Sequence, residues 1–249
     1  DHGLIRYDRT SRERQVFNRA DTLASTMASE KLTALYDLND TTLLIGSREV
    51  SLMFLDKRTQ QFSYWVDSTS ISPALASIRP SNSHGWCHAL VPLDEKRLWI
   101  GFLNSYLSVV ADRGTCTISH FVRTRRPGFE TQTSAALSDG YLCMGGWQNG
   151  IDVVEMRDLP TALSSVPVGT RVMGTEEEVT AIVPWQNGEL MVGIRQLGLY
   201  RVELNSGKMV RMSRDRSDPS SLGNDRVRCL LKDRNGTLWV GTANGLDFH

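Results

Sequence analysis

A four-residue motif recurs five times and constrains the fold of this chain more than any other feature. Each copy reads Leu, a second apolar residue, then Ile, Val or Met, then Gly, and the copies occupy residues 43–46, 98–101, 142–145, 190–193 and 238–241. Their glycines lie 55, 44, 48 and 48 residues apart. Such a period indicates a repeat protein. We expect five structural units, centred near Gly46, Gly101, Gly145, Gly193 and Gly241, and we expect Gly241 to let its strand end in a tight connection.

A turn-forming pair stands six and five residues before each repeat glycine. The pairs are Asp40-Thr41, Glu95-Lys96, Asp139-Gly140, Asn187-Gly188 and Asn235-Gly236. Asn-Gly and Asp-Gly pairs favour tight hairpins because their central residues readily adopt positive φ. Apolar residues further upstream, such as Leu32 and Leu35, predict a strand before the turn. In the third unit Thr131 and Ser134 occupy these positions, which predicts a first strand that is poorer or shifted.

Two further apolar runs follow the motif and complete the unit. The third-strand runs are 52–55, 106–110, 151–154 and 199–202, and weaker fourth-strand runs lie at 62–65, 118–121 and 208–211. Four antiparallel strands in each repeat are typical of a β-propeller blade. We therefore predict an all-β fold across residues 1–249, a β-propeller of four-stranded antiparallel blades.

The two ends of the chain both resemble parts of a blade. Residues 1–18 have the pattern of third and fourth strands, whereas the last unit provides first and second strands and stops within the third. The N-terminal half-blade, residues 1–18, could therefore complete the C-terminal blade and close a ring of five blades. Alternatively, the chain is an arc of a longer propeller.

Bulk properties exclude several classes of function. The 28 basic and 28 acidic residues give a formal net charge of zero, which disfavours a nucleic-acid partner. The four cysteines are far apart and form no C-x-x-C pair, so neither a metal site nor another cofactor is predicted.

The last unit resembles the two-component regulator propeller repeat. The resemblance rests on Val227-x-x-Leu230 followed by Asp233-Arg234-Asn235-Gly236-x-Leu238-Trp239-Val240-Gly241-Thr242-x-x-Gly245-Leu246. It is close in this unit, good around residues 98–101 and weaker in the third and fourth units. The resemblance implies a periplasmic sensor domain of a bacterial membrane receptor, whose output is usually a hybrid histidine kinase and sometimes a diguanylate cyclase. It also implies a seven-bladed ring, of which this chain would be part.

The same resemblance implies partners for the domain. They are an oligosaccharide or another small polar ligand, a neighbouring propeller or linker domain of the same receptor, and a second copy of the receptor in a homodimer. The domain itself is expected to be non-catalytic.

Two other classes of function remain open from the residues. One is a propeller enzyme, a lyase or hydrolase; the other is a non-catalytic scaffold for protein interactions. Cys87 and His88 could form a nucleophile pair, although no orienting acid is evident. The acidic run 176–178 is expected to be solvated surface, and Cys229 is expected to be a small buried residue.

Candidate ligand-binding residues lie in the loops that link second to third strands. In a propeller these loops share one face with the connections between blades, and binding residues concentrate on such loops. The candidates are Arg48, Asn104, Tyr106, Trp147, Gln148, Arg195 and Gln196. Flat rings that stack and side chains that hydrogen-bond would suit a sugar. The alternative is that these residues cap blades or contact a neighbouring propeller.

Overall fold

The computed structural model describes residues 3–18, 27–49, 52–64, 86–103, 107–113, 118–123, 132–146, 150–156, 170–173 and 177–248. All regular structure in these ranges is β-strand, so the predicted all-β fold is confirmed. No membrane-spanning helix occurs among these residues. The chain divides into two compact units, which we describe separately.

The first unit, residues 1–105 and 109–120, contains a two-stranded sheet and two four-stranded sheets. The N-terminal hairpin consists of β1 (Leu4–Tyr7) and β2 (Arg14–Phe17). Blade 1 consists of β3 (Leu32–Asp37), β4 (Thr42–Ser47), β5 (Leu52–Asp56) and β6 (Phe62–Tyr64). Blade 2 consists of β7 (Trp86–Pro92), β8 (Arg97–Leu103), β9 (Leu107–Asp112) and β10 (Ile118–Arg123).

The second unit, residues 106–108 and 121–249, contains two four-stranded sheets and one three-stranded sheet. Blade 3 consists of β11 (Gln132–Ser138), β12 (Tyr141–Gly146), β13 (Gly150–Glu155) and β14 (Thr170–Met173). Blade 4 consists of β15 (Val179–Pro184), β16 (Glu189–Ile194), β17 (Gly198–Glu203) and β18 (Met209–Met212). Blade 5 consists of β19 (Val227–Lys232), β20 (Leu238–Thr242) and β21 (Gly245–Phe248).

The strand order within each sheet confirms the prediction of propeller-type blades. Every sheet is a meander in which successive strands are hydrogen-bonded neighbours, and each repeat motif lies on the second strand of its blade. In blade 3 the first strand is complete but shifted by one residue. The turn between Leu137 and its partner Leu142 is one residue shorter than the equivalent turn between Asp37 and its partner Leu43 in blade 1. The N-terminal hairpin and the three-stranded blade 5 are separate sheets. Completion of blade 5 by residues 1–18, and a ring of seven blades, stay predictions.

The turns between first and second strands use two kinds of chemistry. In blades 3 and 4 the predicted Asp139-Gly140 and Asn187-Gly188 pairs have positive φ at both residues, between 48° and 80°. In blades 1, 2 and 5 a side-chain oxygen accepts backbone N–H groups from within the turn instead. The acceptors are Asn39, Asp94 and Asp233. The Asn235-Gly236 pair differs from the prediction, because only Gly236 has positive φ.

A β-bulge interrupts the first strand of every blade at the same place. The extra residue lies between the residues of the following pairs: Leu32 and Ala34, Cys87 and Ala89, Gln132 and Ser134, Val179 and Ala181, and Val227 and Cys229. Immediately after the bulge, a small residue faces the repeat glycine of the second strand. These pairs are Ala34–Gly46, Ala89–Gly101, Ser134–Gly145, Ala181–Gly193 and Cys229–Gly241.

The repeat glycines of blades 1 and 4 are explained by the close approach of the next blade, whereas a Cβ on Gly241 would meet Sγ of Cys229 in its own blade. A Cβ on Gly46 would lie 2.9 Å from the carbonyl oxygen of Cys87, which is in blade 2, and a Cβ on Gly193 would lie 2.6 Å from Cγ1 of Val227, which is in blade 5. Neither glycine has positive φ. In these two copies the glycine therefore makes room for a neighbouring strand.

Threonines in the bulges tie adjacent blades together at the same point. Thr33 Oγ1 donates a hydrogen bond to the Cys87 carbonyl, so blade 1 is joined to blade 2. In the second unit, Thr180 Oγ1 lies 3.1 Å from the carbonyl oxygens of both Gly193 and Val227 and can donate to either. We call these two contacts, with the glycines beside them, the blade joints.

Candidate functional site

Each blade has two distinct ends. We call the end that carries the turn between first and second strands the hairpin end. The opposite end, where the second strand stops beside the start of the first, is the loop end. At the loop ends of blades 1, 4 and 5, backbone hydrogen bonds join these segments: Arg48 N to Lys31 O (3.0 Å), Arg195 N to Glu178 O (2.9 Å) and Ala243 N to Arg226 O (3.0 Å). The predicted residues Arg48 and Arg195 thus occupy equivalent positions in their blades.

The loop end of blade 1 gathers charged side chains. Lys31 Nζ lies 3.0 Å from Glu49 Oε1, and Arg48 is exposed beside them. His88, the bulge residue of blade 2, is half-buried; burial, reinforced by the positive charge of Arg48, lowers its pKa to about 4. His88 is therefore neutral at pH 7 and leaves the charge of this region to Arg48, Lys31 and Glu49.

The loop end of blade 4 is a tight turn stabilised by an ion pair. The Arg195 guanidinium pairs with the Glu178 carboxylate, whose side chain is only 15% exposed. Gln196 follows with φ of 65° and an exposed side chain. The expectation that the acidic run 176–178 is solvated surface is wrong for Glu178, because it is drawn into the pair with Arg195.

Four predicted ligand-binding residues, Asn104, Tyr106, Trp147 and Gln148, lie outside the described residues. Arg48 belongs to the first unit, and Arg195 and Gln196 belong to the second. The structure therefore brings Arg195 and Gln196 together in one turn of the second unit.

The bulge residues were missed by the sequence reasoning. Thr33, His88, Thr180 and Arg228 are the inserted residues of their strands, and bulges commonly re-aim side chains next to functional sites. No local signal marks them, because a bulge is defined by pairing with the next strand. Aligning the repeats on their glycines would have placed Thr33 and Thr180 at the same position.

Cys87 and His88 do not form an activated nucleophile pair in this structure. Burial raises the pKa of the Cys87 thiol, and the neighbouring His88 has a lowered pKa, so the pair is neutral on both sides. An activated cysteine requires the opposite, a thiolate beside a positive charge. Cys229 is exposed, which corrects the expectation that it is buried. Within the described ranges, no three His, Cys, Asp or Glu side chains form a group that could hold a metal ion.

Comparison with known families identifies the last repeat. The sequence model of the family described as two component regulator propeller matches residues 221–244. Blade 5 carries a repeat of this family. The match includes β19, its bulge and β20, together with the connection that leads into them. No curated protein shows a significant match to the sequence.

Solved structures of similar fold include two bacterial receptor domains. The extracellular domain of the putative hybrid two component system BT4673 from B. thetaiotaomicron has 13% identity and a TM-score of 0.66 over 90% of this chain. That of BT3049 from the same organism has 17% identity and a TM-score of 0.65 over 99% of this chain. This chain covers 28% and 37% of their lengths.

A third similar structure comes from a different context. A chain in the mitotic checkpoint complex has 16% identity and a TM-score of 0.62, covering 98% of this chain and 67% of that one. At such identities the likeness shows the fold alone. The two component regulator propeller repeat therefore carries the information that is specific to the family.

Proposed function

We propose that this chain is the sensor propeller of a bacterial hybrid two-component receptor and that it lies outside the cytoplasm. The observation that carries this proposal is the two component regulator propeller repeat at residues 221–244. The likeness in fold to extracellular domains of putative hybrid two component systems supports the location, which would be the periplasm. The output of the receptor would be a histidine kinase.

The ligand that best suits the loop ends is a small polar molecule of the oligosaccharide class. Arg48 and the Lys31–Glu49 pair offer hydrogen-bond donors and acceptors in the first unit, and Gln196 offers an amide beside Arg195 in the second. These side chains project from turns that backbone hydrogen bonds fix in place. Preorganised polar groups on a rigid scaffold lower the entropic cost of binding.

The domain acts, in this proposal, by binding and not by catalysis. The Cys87 thiol and His88 are both neutral, and carboxylates such as Asp94 and Asp233 accept backbone N–H groups within turns. Ligand binding would instead favour one arrangement of a homodimeric receptor, to the extent that the ligand binds that arrangement more tightly. The neighbouring propeller or linker domain would transmit the change.

A thermal-shift screen with a panel of neutral and acidic oligosaccharides tests the proposal. A ligand that binds only the folded protein raises its Tm, and the rise increases with the ratio of ligand concentration to Kd. We expect at least one oligosaccharide to stabilise the protein and Arg48→Gln or Arg195→Gln to reduce that shift. Arg58→Gln is the matched control, since Arg58 is exposed near the hairpin end of blade 1, in the turn between β5 and β6.

Two results would contradict parts of this proposal. Stabilisation by none of the oligosaccharides contradicts the ligand class. Turnover of a panel member into a shorter or unsaturated sugar contradicts the non-catalytic assignment and favours a lyase or hydrolase.

A second candidate function is a scaffold for protein interactions. Ile5, Tyr7 and Val16 of the N-terminal hairpin are each more than 40% exposed, and Ile5 pairs directly with Val16. This apolar face suits a protein neighbour better than a sugar. Binding of the adjacent receptor domain that is lost in Ile5→Lys, with no oligosaccharide binding at all, would favour the scaffold.

A further inference from the structure

The loop end of blade 4 is held against the connection that leads into blade 5. Gly198 N donates to Asp225 O over 2.9 Å, and a Cβ on Gly198 would lie 2.6 Å from Met212 O. Three segments therefore contact one another directly: the turn at residues 195–198, the end of β18 and the connection just before β19. All three segments belong to the second unit.

Three arginines, Arg211, Arg214 and Arg226, lie on these adjoining segments. Arg211 Nε donates to Leu197 O over 2.7 Å, which fixes its guanidinium beside the turn. Arg214 N donates to Asp225 Oδ1 over 2.6 Å, and Arg226 directly follows Asp225 in the chain. All three side chains are exposed. We call them the arginine cluster.

Three carboxylates lie near the cluster, and each already accepts hydrogen bonds. Asp225 Oδ1 accepts from Arg214 N, and the other two accept from serines. Asp215 Oδ1 accepts hydrogen bonds from Ser217 N (2.8 Å) and Ser217 Oγ (2.6 Å). Asp218 Oδ1 accepts in the same way from Ser220 N (2.9 Å) and Ser220 Oγ (2.6 Å). These bonds shape the connection between the blades and leave the carboxylates turned toward their own loop.

The guanidinium groups have N–H donors without a hydrogen-bond partner among the described residues. Among the residues that the structure describes, the side chains of Arg214 and Arg226 make no hydrogen bond and no ion pair, and Arg211 uses only Nε. Each guanidinium therefore retains a fork of N–H donors with the geometry to bind a carboxylate or a sulfate through two parallel hydrogen bonds. The exposed Gln196 amide stands beside them.

We infer that the arginine cluster binds the anionic group of an acidic oligosaccharide, either a uronate carboxylate or a sulfate ester. That the ligand is a saccharide rests on the proposed function. The new element is that the saccharide carries an anionic group. Nucleic acid fits less well, because the chain has no net positive charge with which to neutralise a run of phosphates.

Binding of oligogalacturonate by the 249-residue protein, measured by calorimetry, tests the inference. Its methyl ester has the same backbone without the charges and is the matched neutral ligand. We expect oligogalacturonate to bind and its methyl ester to bind at least tenfold more weakly. Added salt should weaken the binding of oligogalacturonate. A sulfated oligosaccharide and its desulfated counterpart form the second arm, and binding in either arm identifies which anionic group the site takes.

Charge-neutral variants locate the site. Arg214→Gln and Arg226→Gln are each expected to weaken binding of the acidic ligand at least tenfold. Arg234→Gln, an equal loss of charge at the hairpin end of blade 5, is expected to leave it within twofold.

The inference fails if neither anionic probe binds, if the ester binds as tightly as the acid, or if Arg234→Gln weakens binding as much as Arg226→Gln. Equal binding of acid and ester would leave the proposed sensing of an oligosaccharide intact. Binding of no sugar in either experiment would contradict both.

Discussion

The hairpin ends and the loop ends of the blades use their polar side chains differently. At the hairpin end of blade 5, one carboxylate serves three donors: Asp233 accepts from Asn235 N, Thr237 N and the indole Nε1 of Trp239. At the loop ends, Arg214 and Arg226 have no such partner among the described residues. The Asp233 carboxylate is thus satisfied internally, whereas the guanidinium groups of Arg214 and Arg226 retain binding capacity.

This difference separates residues that stabilise the fold from residues that are available to a ligand. Both kinds are polar and exposed, so composition does not distinguish them. Hydrogen-bond partners do, because a group already bonded inside the protein must lose that bond before it can bind a ligand. Substitution of an internally bonded group such as Asp233 should change stability, and substitution of an unbonded group such as Arg226 should change binding.

The blade joint supports both ends, and disrupting it should have the largest effect. Gly193→Ala would place a Cβ 2.6 Å from Cγ1 of the buried Val227. We expect the variant to lose about 1–3 kcal/mol of unfolding free energy, as overpacked cores do. Urea denaturation measures this loss. In the Val227→Ala background the same substitution should cost less, and an equal cost in both backgrounds would contradict the proposed contact.

The hairpin end of blade 5 should show the next largest effect. Asp233→Ala removes the acceptor of two backbone N–H groups and of Trp239 Nε1, so we expect the Tm to fall by a few degrees. Asp233→Asn, which keeps a neutral acceptor, should lose less. Differential scanning calorimetry measures both changes in Tm. A change in oligosaccharide affinity for Asp233→Ala would contradict the assignment of Asp233 to stability alone.

We expect His88 to make a smaller contribution to the free energy of unfolding, one that depends on pH. The pKa of His88 is about 4 in the folded protein, against an ordinary value of 6.5, mainly because of burial. The unfolded chain therefore binds this proton first, so the stabilising contribution is complete above pH 6.5 and is lost as the pH falls toward 4. His88→Gln should flatten the stability profile in that window. An unchanged profile would show that His88 is not buried as described.

The arginine cluster should have the smallest effect on stability. Because Arg214 and Arg226 make no described side-chain hydrogen bond or ion pair, we expect Arg214→Gln and Arg226→Gln each to change the unfolding free energy by less than about 0.5 kcal/mol. Arg234→Gln should change the unfolding free energy by an equally small amount, as measured by urea denaturation. A large loss in Arg226→Gln alone would mean that its side chain stabilises the fold.

The repeat pattern predicts most of the fold because it encodes strands and turns locally. The motif glycines locate all five second strands, and the Asp139-Gly140 and Asn187-Gly188 pairs have the expected backbone. The role of the glycine was not predictable, since it depends on Cys87 and Val227, which lie 41 and 34 residues further along the chain. Contacts between blades are invisible to a pattern read within one blade.

The candidate site was predictable only in part for a similar reason. Arg48, Arg195 and Gln196 are found at loop ends as expected, but Arg195 is paired with Glu178, a residue read as solvated surface. The arginine cluster draws on β18, the following connection and β19, so its members are adjacent only after folding. Free and engaged arginines look identical in a sequence.

Hydrogen exchange with bound oligosaccharide tests the central claim, that ligands bind at the loop ends. Exchange reports local opening of the backbone, which a bound ligand suppresses. With oligogalacturonate bound, the account predicts slower exchange in segments 195–198 and 223–228, and unchanged exchange at the hairpin turns 185–189 and 233–237. Protection confined to the hairpin turns, or absent from the loop ends, would contradict it.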